Sequence, residues 1–230
     1  MTASPMQIPL VLVHGLWDTP RLFHRLIQHL DQPALPLLAP HLPHRFGAVP
    51  LRQLARDLDH AIQQRFGTDT PIDLFGFSMG GVVSRIWLQE LDGVRRTRRF
   101  FSVGSPQNGT LAAQPIPRLL LAGAADMKVG SALLRDLNGT TTLLDKLDCR
   151  SYCCRWDLMV FPFWTAILPC GSHQVIDVWT HQQLITHPRA LPAIPGGEYG
   201  GVRRPPGPPG GSTSRGGGGR GGGGAKKTAR

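Results

Sequence analysis

The feature that most restricts the fold of this sequence is a Gly-x-Ser-x-Gly motif between a predicted strand and a predicted helix. The apolar run Ile72–Ser78 predicts a buried strand that ends in a corner, and apolar residues over 82–91 predict the helix that follows. Gly76 and Gly80 leave room for a sharp turn and for close approach of helix and strand. The helix would direct its first amides and its dipole towards negative charge that develops at Ser78. Ser78 is therefore the candidate nucleophile.

Strands and helices alternate along the rest of the chain. The predicted strands cover residues 8–15, 34–39, 72–78, about 100–104, 149–156 and 173–178. The predicted helices cover residues 20–30, 51–66, 82–91 and 182–190, with Asp18-Thr19-Pro20 as the cap and first position of the first helix. This order suits right-handed crossovers. It predicts an α/β fold with a mostly parallel open sheet and helices on both faces.

The last 35 residues have a different composition from the rest. Residues 196–230 carry seven Lys or Arg, one acidic residue and most of the glycine, so the formal charge of +10 divides into +6 for this segment and +4 for residues 1–195. We predict that residues 196–230 form a disordered basic tail, because they cannot bury enough apolar surface. Residues 1–195 then form one domain, in which residues 106–147 are a short insertion that resembles a lid.

Several classes of protein are disfavoured. No apolar run reaches the ~18–20 residues of a membrane helix, and the first ten residues lack the pattern of a secretory signal. No C-x-x-C pair exists, so Cys149, Cys153, Cys154 and Cys170 are expected to be reduced thiols in a cytoplasmic protein. His41 and His44 have no carboxylate or cysteine close in sequence, so no metal site is predicted.

The first strand ends in a second motif, His14-Gly15-Leu16-Trp17. With LFGFSMGGVVSR, VGSPQNGT, WDLMVFP and VWTHQQLITHP, which follow in order up to residue 188, it makes the sequence resemble the α/β-hydrolase superfamily. The resemblance is to its compact lipase/esterase branch, related to bacterial triacylglycerol lipases. It implies the α/β-hydrolase fold and a serine esterase that needs no cofactor. The motifs are specific to the superfamily and not to a substrate.

The resemblance also implies the position of the oxyanion hole, which would be formed by the backbone N–H groups of Leu16 and Met79. Two such donors stabilise a tetrahedral oxyanion, and loss of one typically costs about 2.7–4 kcal/mol. Trp17 would supply the first N–H if the corner were one residue longer. His14 is expected to brace a loop, and we do not assign it as the base.

The acid must follow Ser78 in the chain and precede the histidine, because this fold carries its triad in that order. Glu90 and Asp92 lie at the far end of the helix, about 15 Å from its start. Asp148 precedes a strand and so belongs to the wrong edge of the sheet, while the acids of residues 126–145 are expected on helix surfaces of the insertion. Asp157 follows a strand, at the edge where ligands bind in open α/β sheets. The family carries its acid in the same D-x-M-V-x-P context.

Three histidines could act as the base. His181 follows the last strand by three residues, where the family carries its base in the pattern H-x-x-L before a following H-P. His173 begins that strand, at the opposite edge. His187 lies near the end of the last helix and is kept as the alternative. The predicted triad is therefore Ser78, Asp157 and His181.

The expected substrate is a small-molecule ester or a lipid of moderate size. Residues 106–147 either cover an acyl groove or simply pack on the sheet.

The cluster Arg95–Arg99 is either a solvated loop or a contact for anionic lipid or nucleic acid. The same partners are candidates for the tail, which resembles RGG segments. No obligate partner is inferred. The alternatives are a thioesterase or acyltransferase of the same fold, or a catalytically silent binding protein.

Overall fold

The computed structural model describes residues 7–193, which contain six parallel strands in one open sheet. The strands are β1 (Leu10–Val13), β2 (Leu37–Leu38), β3 (Ile72–Phe77), β4 (Thr97–Val103), β5 (Asp148–Cys153) and β6 (Ser172–Val175). Their order across the sheet is β2-β1-β3-β4-β5-β6, and each neighbouring pair is parallel. The predicted fold class is confirmed. Most strands are shorter than their apolar runs, because the chain leaves the sheet to build loops at its carboxyl edge.

Six α-helices accompany these strands in the same described part of the chain. They are α1 (His24–Leu30), α2 (Leu51–Phe66), α3 (Met79–Glu90), α4 (Ala122–Asp126), α5 (Ala132–Gly139) and α6 (Gln183–Thr186). A 3₁₀ turn at Pro20–Phe23 leads into α1, and Pro20 takes its first position, as predicted. Thr19, which directly precedes this proline, is the N-cap residue, and its side chain makes no capping hydrogen bond.

Helices cover both faces of the sheet, as predicted. Helices α2, α3 and α5 pack on one face with Val11, Leu74 and Phe100, and α1 and α6 pack on the other with Leu12 and Phe75. Almost every residue of α3 is buried, because this helix lies between the sheet and the insertion. Its sequence is therefore mostly apolar, which matches the run that predicted it.

The buried Arg85 ties α3 to the insertion. Its guanidinium donates to the Gln107 carbonyl oxygen at 3.0 Å and to Asn138 Oδ1 at 2.8 Å. Burial lowers the pKa of Arg85 to about 10. All these acceptors are uncharged, so α3 and the insertion are joined by directed hydrogen bonds rather than by an ion pair.

Residues 106–147 pack firmly against the body of the protein. Leu133, Leu134 and Leu137 of α5 enter the same core as α3. The prediction that Asp126 lies on a helix surface is wrong, because this carboxylate is 4% exposed. Its Oδ2 accepts from the Leu51 N–H at 3.1 Å, at the first residue of α2. Asp126 thus satisfies a free amide at the start of a helix, on a residue 75 positions earlier in the chain.

The arginine cluster lies at the amino ends of β3 and β4, away from the carboxyl edge. Arg98 and Arg99 both bind the buried carboxylate of Asp73, at 2.6 and 2.7 Å. Arg96 donates to two backbone carbonyl oxygens in the preceding turn. These arginines therefore fasten the start of two central strands.

The predicted tail, residues 196–230, lies outside the described residues, and so does the domain boundary at residue 195. None of the helices within residues 7–193 has both the length and the apolar character needed to cross a membrane. Cys149, Cys153, Cys154 and Cys170 are free thiols.

Candidate active site

Ser78 sits in the turn that joins β3 to α3. Its backbone has φ 54° and ψ −127°, a conformation that residues other than glycine rarely adopt. The Ser78 N–H donates to the Val103 carbonyl oxygen at 2.9 Å, so the end of β4 holds the turn in place. The helix begins at the next residue, Met79. Its free amides therefore surround Ser78, as the motif predicts.

Glycine is needed at two motif positions, because other backbone atoms lie so close that a side chain would not fit. A Cβ on Gly80 would lie 2.1 Å from the Val13 carbonyl oxygen, and one on Gly76 would lie 2.4 Å from Gly81 Cα. Both neighbours are backbone atoms that cannot move aside cheaply. The end of β1 thus runs directly against the start of α3.

The corner after β1 reaches the same place from the other side. A Cβ on Gly15 would lie 2.9 Å from Ser78 Cβ and 2.8 Å from Asp18 Oδ2. Within residues 7–193, the backbone N–H groups of Leu16, Trp17 and Met79 donate no hydrogen bond. The predicted oxyanion donors are therefore unpaired beside the serine, and the structure leaves both Leu16 and Trp17 as candidates.

His14 braces the loop that follows β2. Its Nε2 accepts from the Leu42 N–H at 3.0 Å, and its Nδ1 lies 3.0 Å from the Gly15 carbonyl oxygen, so Nδ1 carries the proton. The ring is fully buried and stacks on His41. Burial lowers the pKa of His14. With both nitrogens engaged away from the pocket, this residue has the structural position that the sequence predicts.

Asp157 and His181 are hydrogen-bonded to each other. The His181 Nδ1 lies 2.7 Å from Asp157 Oδ2. The other carboxylate oxygen, Oδ1, accepts from the N–H groups of Met159 and Val160, each at 2.9 Å. Both side chains are buried, with exposures of 2% for Asp157 and 8% for His181. The turn after β5 thus fixes the carboxylate, and the carboxylate fixes the imidazole.

The other ring nitrogen of His181, Nε2, makes no such hydrogen bond within residues 7–193. His181 and Ser78 line the same cavity. The Nε2 atom is buried and has no hydrogen-bond partner among the described residues, so it is not bonded to the Ser78 hydroxyl here. Phe77 packs against the ring with 4.8 Å between ring centroids. His187 lies outside this cavity, and its Nδ1 accepts from the Arg189 N–H at 3.1 Å.

The cavity has a volume of about 320 Å³, at the lower end of ligand-binding pockets. Most of its walls are apolar, and many come from the insertion. The lining residues are Leu16, Trp17, Asp18, Ser78, Pro106, Thr110, Ala112, Ala113, Ile116, Ala124, Met127, Met159, Val160, His181 and Gln182. No cluster of three or more His, Cys, Asp or Glu in residues 7–193 could hold a metal ion.

Comparison with known proteins agrees with this geometry. A family model for the alpha/beta hydrolase fold matches residues 8–138, more than half of the chain. The chain belongs to the alpha/beta hydrolase family. The family resemblance inferred from His14-Gly15 after the first strand and from the motif over residues 76–80 is thereby confirmed. Family membership supports hydrolase activity in general. No curated protein sequence matches the chain.

Several solved structures share the fold of this alpha/beta hydrolase. A lipase from Bacillus licheniformis, in its mature form, superposes with a TM-score of 0.64 at 17% identity, over 83% of this chain and 91% of that one. Aspergillus fumigatus lipase B gives 0.64 at 15% identity, over 80% of this chain and 51% of that one. A bromoperoxidase from Bacillus anthracis gives 0.54 at 14% identity, over 81% and 89%. At these identities the likeness shows the fold alone.

The carboxyl edge of the hydrolase sheet also carries the exposed apolar surface of the protein. Within residues 7–193, the large apolar side chains that stay exposed all lie on segments that follow the carboxyl ends of β1, β2, β4, β5 and β6. They are Trp17, Phe46, Leu111, Leu119, Leu120, Val129, Trp156, Leu158, Met159, Phe161, Trp164 and Trp179. Trp156 and Trp179 stack with 6.3 Å between ring centroids. Of these exposed side chains, Trp17 and Met159 belong to residues that also line the cavity.

Sequence reasoning missed Asp18 and Gln182, which are among the polar residues that line the cavity. Asp18 precedes Thr19-Pro20, a pattern typical of a helix cap, and the capping interpretation concealed its contact with the cavity. Gln182 Nε2 donates to Asp18 Oδ1 at 3.3 Å across 164 residues of chain. A contact between residues so far apart leaves no local pattern. The sequence offers one signal for each residue: Asp18 follows Trp17 and Gln182 follows His181, and both of these neighbours are candidate site residues.

Proposed function

We propose that this alpha/beta hydrolase is a serine hydrolase that cleaves carboxylic esters. Ser78 is the nucleophile, His181 the base and Asp157 the acid that orients the base. The observation that carries the proposal is the state of His181. Its Nδ1 is held by Asp157 at 2.7 Å, its buried Nε2 has no hydrogen-bond partner within residues 7–193, and the residue lines the same cavity as Ser78. A buried base with one free nitrogen is poised to accept a proton.

The chemistry follows from these positions. With an ester bound, His181 Nε2 accepts the hydroxyl proton of Ser78 while the serine oxygen attacks the ester carbonyl. The carbonyl oxygen becomes negative and accepts hydrogen bonds from the backbone N–H groups of Met79 and of Leu16 or Trp17. His181 then gives its proton to the departing alcohol, which leaves an acyl-serine. Water, activated by the same nitrogen, cleaves the acyl-serine and releases the carboxylic acid.

The missing hydrogen bond between Ser78 and His181 agrees with this mechanism. Catalytic hydrogen bonds are often long in ligand-free enzymes and tighten only when substrate binds. Asp157 keeps the proton of the neutral imidazole on Nδ1, because its Oδ2 accepts there. Nε2 is then the acceptor that the serine requires. The acid also stabilises the imidazolium that forms in the transition state.

The walls of the cavity support a substrate with an apolar acyl group. Ala112, Ile116 and Met127 of the insertion line the cavity. A cavity of about 320 Å³ fits an ester of moderate size. Thioesters of similar shape would meet the same groups and belong in the substrate panel. The four free thiols suit a reducing compartment, so we propose a cytoplasmic location.

A fluorophosphonate probe tests the nucleophile before any natural substrate is known. We expect the probe to label Ser78, and Ser78→Ala to abolish both labelling and hydrolysis of p-nitrophenyl butyrate. Ser84→Ala is the control, because Ser84 lies in the same helix and its hydroxyl donates to the Gly80 carbonyl oxygen at 2.7 Å. That variant should still react with the probe. Undiminished hydrolysis by folded Ser78→Ala would remove the assignment.

A further inference from the structure

We propose that Asp18 forms a subsite for a positively charged group, such as an ammonium, on the substrate. This inference rests on the proposed ester hydrolysis, because the subsite adjoins Ser78. It names a substrate class that the fold does not specify, namely esters that carry a cationic group close to the scissile bond.

The position of the Asp18 carboxylate is the first observation. A Cβ atom placed on Gly15 would lie 2.8 Å from Asp18 Oδ2 and 2.9 Å from Ser78 Cβ. Both atoms are therefore close to the same position in the corner after β1. Asp18 lines the cavity together with Ser78 and His181. A group bound to this carboxylate would therefore lie beside the serine and the corner that carries the oxyanion donors.

The second observation concerns the charged groups around this carboxylate, whose titratable neighbours are His181 and His44. Among the described residues that line this cavity there is no arginine or lysine. The bond from Gln182 Nε2 to Asp18 Oδ1, at 3.3 Å, is long for an N–H donor to oxygen. Burial raises the pKa of Asp18, which means that the surroundings disfavour its charge. A bound cation would offset that cost.

Trp17 strengthens the case for a cation rather than a neutral group. Its side chain lines the cavity next to Asp18 and is 60% exposed. The face of an indole ring attracts ammonium groups, most strongly when water is partly excluded. A carboxylate beside an aromatic ring is a chemically matched pair for an alkylammonium.

A second role for Asp18 must be distinguished by experiment. Asp18 also interacts electrostatically with His181, which lines the same cavity. An effect through His181 would change the hydrolysis of every ester. An effect through a cation subsite changes the preference between a charged ester and a neutral one.

The test compares two esters of the same shape, butyrylcholine and 3,3-dimethylbutyl butyrate, which differ by a quaternary nitrogen in place of a carbon. We expect the protein to prefer butyrylcholine, and Asp18→Asn to lower that preference in kcat/KM by about tenfold, mainly through KM. Asn keeps an acceptor for Gln182. The control Asp177→Asn removes an acid that is 96% exposed on the same edge, and it should leave the preference unchanged.

Equal losses for both esters in Asp18→Asn would overturn the subsite and place the effect at His181. An unchanged preference would overturn it as well. A binding measurement separates the subsite from the chemistry. In Ser78→Ala, calorimetry should detect butyltrimethylammonium, and adding Asp18→Asn should weaken that binding about tenfold. If neither ester is hydrolysed but this cation binds through Asp18, the subsite stands and the proposed function fails. If the cation binds equally well without the carboxylate, the subsite is wrong.

Discussion

Asp157 and His181 share a 2.7 Å hydrogen bond although 24 residues of chain separate them. The reason is the register of the last two strands. Cys153 at the end of β5 lies opposite Val175 at the end of β6, so the loops that follow leave the sheet side by side. The acid and the imidazole therefore meet at the carboxyl edge, where the turn of Ser78 also lies. The arrangement of the candidate site depends on strand register more than on any local motif.

Replacement of His181 tests the base directly. We expect His181→Ala to lower the rate of acylation by several orders of magnitude, as removal of a triad member does. His187→Ala should have a much smaller effect, because His187 lies outside the cavity. Stopped-flow measurement of p-nitrophenolate release would compare the two variants. The reverse ranking would show that the base is His187.

Substitution of Gly80 should destabilise the fold strongly. Its Cβ would lie 2.1 Å from the Val13 carbonyl oxygen, so Gly80→Ala must push β1 and α3 apart. We expect a loss of about 2 kcal/mol or more in the free energy of unfolding, as for other overpacked sites. Gly139→Ala is the matched control, because its Cβ would meet nothing within 4 Å. Urea unfolding should show no loss for that variant.

The buried His14 predicts a dependence of stability on pH. Burial lowers the pKa of His14 below the ordinary histidine value of 6.5, so the unfolded chain takes up this proton more readily than the folded one. The stabilising contribution is complete above pH 6.5 and is lost as the pH falls towards the folded pKa. His14→Gln should therefore flatten the fall of stability on the acid side, measured by urea unfolding at several pH values. The exposed His60 gives the control, His60→Gln, and parallel curves for all three proteins would contradict the assignment.

The four thiols should react at different rates. Cys170 is half-buried, and a hydrogen bond with the Cys149 thiol lowers its pKa. Burial raises the pKa of Cys153 to about 11 and that of Cys154 to about 12. Iodoacetamide should therefore modify Cys170 first in the native protein, as peptide mass spectrometry can show. Cys149→Ala should slow that reaction. Initial modification of Cys153 or Cys154 would mean that β5 is less protected than its burial indicates.

Removal of the basic tail should separate catalysis from binding to polyanions. Truncation after Ile194 should leave hydrolysis of a small ester unchanged, because Ser78, Asp157 and His181 all precede it. It should weaken binding to single-stranded nucleic acid or anionic vesicles, since six of the ten net positive charges leave with residues 196–230. That binding should fall steeply with added salt. Retained binding would point to Arg95–Arg99, and lost hydrolysis by a folded protein would place the tail within the enzyme.

Sequence patterns predict the sheet, the helices on both faces and the turn at Ser78, because each depends on residues close together in the chain. They fail where a side chain finds a distant partner. Asp126 follows the insertion's helical pattern, yet it satisfies the Leu51 N–H, 75 residues away. Asp18 stands where a cap is expected, yet its neighbour Gln182 is 164 residues away. Such contacts are set by the packed sheet, and composition and periodicity do not encode them locally.

The backbone conformation of Ser78, which the proposed mechanism needs, lowers the stability of the folded protein. A non-glycine residue at φ 54°, ψ −127° costs on the order of 1–3 kcal/mol, which the packing of β1, β4 and α3 must compensate. A glycine there would relieve that cost and remove the hydroxyl. The proposed nucleophile is thus an example of a stability–activity trade-off, in which the most stable version of the fold is an inert one. Selection for thermal stability alone, with no demand for turnover, would favour loss of the serine.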